Sequence, residues 1–183
     1  MSVRICLKCY LLFQQYYQLV MSVDSKNLLE YSQTLRNRYL DILSTLSWEE
    51  VVKSRGGSFD SMRNIFLHTL DAEDRMINYV IPGRLKAWVS RSHDEFKDID
   101  SLKKRAKDVE SRTKNFLGKM SQADLERKVE VSRMGMPPVP VRIEDIITHV
   151  ALENIHHFGE LIALLWQIDV EPPHMGWIAY IQR

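Results

Sequence analysis

The sequence predicts an all-α protein: a four-helix bundle with a short extended connector and a packed C-terminal tail. Three observations predict it. Four long segments carry apolar residues at alternating three- and four-residue steps, the spacing of one helix face. Helix-start residues precede them at the expected offsets. Only 7 Gly and 6 Pro occur in 183 residues, too few for a turn-rich β-sandwich.

The first long helix is marked by Leu28, Tyr31, Leu35, Tyr39, Ile42 and Leu46, with Asp24 or Ser25 as its cap. Ser47-Trp-Glu-Glu50 reads as a capping box opening a short helix, which Arg55-Gly-Gly-Ser58 breaks. A second long helix is predicted from about Phe59 to Ile81, with Ser58 and Asp60 as cap candidates and Pro82-Gly83 as its stop. Its stripe is Met62, Ile65, Thr69, Ala72, Met76 and Tyr79, with His68 beside it. Trp88 and Phe96 predict that the next connection packs down, and its length of about 18 residues would let it cross the bundle end. The third helix covers roughly Ser101 to Met120 on Leu102, Ala106, Val109, Thr113, Phe116 and Met120, followed by a capping box at Ser121–Asp124. Lys128-Val-Glu-Val-Ser132 alternates like a strand or extended loop, and Met134 to Pro140 forms a non-helical connector. The fourth helix runs from about Ile143 to Ile168, and Trp177, Ile178, Tyr180 and Ile181 pack the tail onto the bundle.

Composition narrows the function classes. Apolar residues make up 45% and charged residues 27%, so a single domain can bury a real core. Lys and Arg number 25 against 24 Asp and Glu, a net charge of +1, which supplies no long-range field for nucleic acid or an anionic membrane. The basic run on the third helix is broken by Asp108 and Glu110 and reads as a solvated face. Cys6 and Cys9 form a lone CxxC without the second pair of a structural zinc site. The absence of other cysteines suits a reducing cytoplasm. Residues 1–20 are too short and too polar for a transmembrane helix and lack a cleavage site; they read either as an extension upstream of a natural start at Met21 or as a peripheral appendage, leaving 21–183 as one domain.

The fourth helix carries polar groups where aliphatic ones belong. Its inner stripe reads Ile146, Val150, Glu153, His157, Leu161, Leu164, Ile168. Glu153 and His157, four apart, lie about 40° apart around the axis and about 6 Å along it, near enough to grip one ion. A core-facing glutamate must be neutral, paired or metal-bound. His68 on the second helix offers a third group. Two imidazoles and one carboxylate suit divalent zinc, nickel, iron or manganese, and three ligands leave positions for water or substrate. A buried Glu153–His157 pair with no ion is the other reading of the same spacing. Glu160 and His156 are candidates for orienting a ligand or moving a proton. His149 reads as support or surface, His93 as a solvent histidine, and His174 as able to line a pocket mouth.

His68-Thr-Leu-Asp-Ala-Glu73 resembles the H-x-x-D-x-E segment of the DinB/YfiT-like superfamily, and His156-His-Phe-Gly-Glu160 resembles its H-H-R-G-Q segment. The resemblance covers roughly residues 22–183. It implies a four-helix bundle holding a metal through three histidines, one on the second helix and two, four apart, on the fourth. His68 and His157 match ligand positions; Glu153 stands where the family has the third histidine, and Phe158 where it has arginine. Some relatives are S-transferases or isomerases that use a low-molecular-weight thiol, and others are grouped as metal-dependent hydrolases. The resemblance therefore implies a small-molecule enzyme, using metal-assisted thiol transfer or hydrolysis on an electrophile, with homodimerisation expected and no nucleic acid or membrane partner. The alternative is a non-catalytic, stress-associated binding or dimerisation bundle.

Overall fold

A computed structural model describes residues 24–132, 137–174 and 176–182. Cys6, Cys9, the extension 1–20 and part of the Met134–Pro140 connector lie outside the described residues. Four long helices form the body. α1 spans Ser25–Leu43, and Asp24 caps it by accepting from the amides of Lys26 and Asn27 at 2.7 and 3.3 Å. The short α2, Trp48–Val52, starts at Ser47, whose hydroxyl accepts from the Glu50 amide. α3 spans Met62–Glu73 and continues as a π-helical stretch, Asp74–Val80. Single 3-10 turns at Leu85–Ala87 and His93–Glu95 punctuate the next connection. α4 spans Ile99–Leu117 behind an Asp98–Ser101 capping box, and α5, Gln122–Glu126, follows a Ser121–Asp124 box. β1, Lys128–Val131, pairs antiparallel with β2, Val139–Arg142, in the register Lys128↔Arg142. α6, Ile143–Trp166, follows β2 directly, and α7, Trp177–Ile181, ends the described chain.

The long helices pack in the ring order α1–α6–α3–α4, so α1 faces α3 across one diagonal and α4 faces α6 across the other. The connection from α3 to α4 joins neighbours rather than crossing the bundle end. The diagonal steps are made by the α2 turn and by the β-hairpin. Phe96 is buried at 4% exposure and Arg91 lies over its ring, which ties the long connection down as the aromatics predict.

Two apolar clusters fill the bundle. One gathers Tyr39, Leu43, Met62, Phe66, Phe158 and Leu161; the other gathers Leu29, Ile77, Leu117, Ile143, Ile147 and Val150. Each long helix also carries buried polar residues: Ser32 and Arg36, Glu73 and Asp74, Thr113, and Asn154; on α3, α4 and α6 they lie between the two clusters in sequence. These residues are paired, as burial requires. Arg36 donates to Glu73, Asn154 donates to Ser32, and Asn78 donates to Asp74 and Thr113.

Several expectations are corrected. Ser61, not Ser58 or Asp60, caps α3 by accepting from the Asn64 amide. Past Thr69 the buried residues are Glu73, Ile77 and Val80, while Ala72, Met76 and Tyr79 are only partly covered; the one-residue shift is already present at Glu73, which pairs with Arg36, and the π-helical stretch follows it. Trp177 and Tyr180 stand against Tyr31 at ring separations of 5.1 and 5.2 Å, but Ile178 and Ile181 face solvent. His93 is not a free solvent histidine: its Nε2 lies 3.5 Å from Asp71 Oδ2. Among the described residues, no helix is long and apolar enough to cross a membrane.

Candidate metal centre

The candidate centre lies at the seam between α3 and α6. His68 comes from the middle of α3, and Glu153 and His157 come from successive turns of α6. Glu153 is not a core residue: its side chain is 34% exposed, and Asn154 takes the inward position instead. His157 is buried at 5%, and His68 is intermediate. The seam is therefore closed behind by His157 and open at the Glu153 edge.

Glu153 Oε1 lies 3.2 Å from His157 Nε2 and 3.6 Å from His68 Nε2. One ligand atom from each of the three residues lies within 4.8 Å of the others. Donors held at roughly 2.1 Å from a common ion stand about 3.0–3.4 Å apart along an octahedral or tetrahedral edge, so these spacings suit a shared cation. His68 Nε2 supplies a second test. It is buried without a hydrogen-bond partner, a costly condition that a coordinated ion relieves. His156, His157 and Glu160 also meet the spacing, but Ser58 and His157 already occupy the Glu160 oxygens.

The electrostatics favour ligand forms. Burial and the adjacent His157 push the His68 pKa down against the pull of Glu153, which favours the neutral imidazole a metal needs. Burial opposes charge on Glu153, yet the hydrogen bond and charge of His157 together with the nearby His68 and His149 outweigh it and hold the carboxyl below its usual value. Glu160 behaves likewise: burial opposes its charge, and hydrogen bonds from Ser58 and His157 prevail.

The surroundings fix the rings. His157 Nδ1 lies 2.7 Å from Glu160 Oε1, within hydrogen-bond distance. Phe59 stacks on His68 at 4.0 Å between centroids and meets His157 edge-on at 5.2 Å. His156 is exposed, with its ring 5.1 Å from that of His157, and His149 is exposed near Glu153. The other acids of the His68–Glu73 segment point elsewhere. Asp71 pairs with Arg105 and His93, and Glu73 pairs with Arg36 and Gln33. Ser58 and Phe59 carry no sequence signal for this site, because the turn that brings them there is set by tertiary contacts.

No curated protein matches the chain. The two motif segments and the helical bundle agree with the family-level match, which spans residues 21–183: the chain belongs to the DinB family.

Proposed function

We propose that the protein is a metal-dependent enzyme acting on a small electrophilic substrate, by thiol transfer or hydrolysis. The observation that supports this most is the convergence of His68 Nε2, Glu153 Oε1 and His157 Nε2, with the first of these buried and short of a hydrogen bond. Bound there, divalent zinc, nickel, iron or manganese supplies Lewis acidity towards a water or low-molecular-weight thiol and towards a substrate oxygen.

The chain's own residues do the rest. Glu153, partly exposed, forms the open edge through which a small molecule enters. Phe59 covers the His68 ring and keeps water from that side. Glu160 accepts the His157 Nδ1 proton and leaves Nε2 turned to the ligand point. To His156, exposed beside His157, we assign proton exchange with solvent.

Elemental analysis of protein purified without a histidine tag tests the reading. Wild type is expected to carry a stoichiometric divalent ion, and His68→Ala and His157→Ala to lose it. Unchanged metal content in both variants would overturn the assignment.

A further inference from the structure

The turn between α2 and α3 is folded over the two histidines. Gly56 and Gly57 adopt φ of +76° and +85°, a region open to glycine at little cost, and Asp60 follows at +70°. The turn is closed by its own bonds: Ser54 donates to Asp60 at 2.6 Å, and the Arg55 amide donates to the Asp60 carbonyl at 2.7 Å. Arg55 also pairs with Glu50, which anchors the turn to α2. At the apex, Ser58 gives Glu160 two hydrogen bonds, from its hydroxyl at 2.5–2.6 Å and from its amide at 3.2 Å. A side chain at Gly57 would come within 3.4 Å of the same carboxylate. The next residue, Phe59, is the ring that lies against both His68 and His157.

These contacts form a chain from Ser58 through Glu160 to His157 Nδ1. An ionised carboxylate only accepts, so each link has a fixed direction: Ser58 donates to Glu160, and His157 donates to Glu160. Both imidazole nitrogens of His157 face a carboxylate, and the contact to Glu160, 2.7 Å, is shorter than the one to Glu153, 3.2 Å. In a neutral ring whose proton sits on Nδ1, the other nitrogen is a lone-pair donor, the arrangement that orients histidine ligands.

We propose that Ser58 is a positioning residue: through Glu160 it holds the proton of His157 on Nδ1, frees Nε2 towards Glu153 and His68, and seats Phe59 over both imidazoles. The consequence for metal affinity rests on the metal reading above; the consequence for the imidazole tautomer does not.

The experiment uses the full chain as wild type, Ser58→Ala, Ser58→Thr and Glu160→Ala. Nitrogen-15 spectra of the histidine rings are recorded without metal at alkaline pH, and zinc affinity is measured by competition with a chromophoric chelator. Wild-type His157 is expected to carry its proton on Nδ1. Ser58→Ala and Glu160→Ala shift that proton towards Nε2 and weaken zinc binding by about 10–100-fold, the usual effect of losing a partner of a ligand. Ser58→Thr, which keeps the hydroxyl, preserves both properties. An unchanged tautomer in Ser58→Ala overturns the proposal, as does a loss in Ser58→Thr equal to that in Ser58→Ala. If wild type binds no zinc, the metal reading falls and the ring spectra alone decide the role of Ser58.

Discussion

Arg36 and Glu73 meet across the bundle diagonal at 2.8 Å, with neither side chain exposed. Gln33 and Glu110 complete the arrangement, donating to Glu73 and accepting from Arg36. Removing Glu73 takes the nearest acceptor from a fully buried guanidinium and leaves it stranded but for Glu110, so Glu73→Ala is expected to cost about 3 kcal/mol, the lower end for a broken buried pair. Replacing both with apolar groups of similar volume, as in Arg36→Met with Glu73→Leu, should recover most of that loss. Urea unfolding of the two variants checks this; equal losses in both would show that the pair itself, not the stranded charge, sets the cost.

Asp71 ties α3 to α4 and to the long connection. Burial opposes its charge, but bonds from His93 and Arg105 prevail and hold its carboxyl below the usual value. A carboxyl whose folded value is lowered binds its proton less readily folded than unfolded. Its contribution is therefore complete above the unfolded value of about 3.9 and fades as pH falls through the lower folded value. Asp71→Asn should accordingly be less stable than wild type at neutral pH, with the gap narrowing below about pH 4. Urea midpoints across that range test it, and a gap independent of pH would refute the charge argument.

The four long helices were legible because each states its face repeatedly: Tyr31, Leu35 and Tyr39 on α1, or Leu102, Ala106 and Val109 on α4, are buried as the spacing requires, although Leu28, Ile42 and Leu46 are only partly covered and Leu29 and Leu43 take inward positions on α1. Register within a face was less legible. On α3 and its continuation burial falls on Glu73, Ile77 and Val80 rather than on Ala72, Met76 and Tyr79, because Glu73 turns inward to a partner, Arg36, on another helix. On α6 both Glu153 and Asn154 fit near the apolar stripe, and the choice of Asn154 as the inward residue depends on Ser32 of another helix. Long-range partners were illegible for the same reason. Ser58 looks like a helix cap in isolation, and its acceptor, Glu160, lies 102 positions further along.

Trp177 stacks with Tyr180 and meets Tyr31 edge-on, closing the bundle flank with three rings. Ile178 and Ile181, on the other side of the same short helix, are 68% and 56% exposed. Trp177→Ala should therefore cost about 1–3 kcal/mol, the sum of ring burial and aromatic contact. Ile178→Ala should stay within about 0.5 kcal/mol of wild type. Thermal unfolding of the two variants distinguishes them, and similar losses would mean that the tail is covered on both sides.

Glu153 stands where the resemblance expects histidine, and its oxygen is the atom common to both imidazole contacts. A carboxylate adds charge and hardness to the ligand set, which favours manganese relative to an all-imidazole set; a third imidazole favours zinc and nickel. Glu153→His should therefore keep a stoichiometric ion while raising the ratio of zinc to manganese affinity. Glu153→Ala leaves two imidazoles with His68 Nε2 still buried, and should bind either metal more weakly than both wild type and Glu153→His. Competition titrations with the two metals measure both effects. An unchanged affinity ratio in Glu153→His would mean that the carboxylate does not touch the ion, and would confine the ligand set to the two histidines.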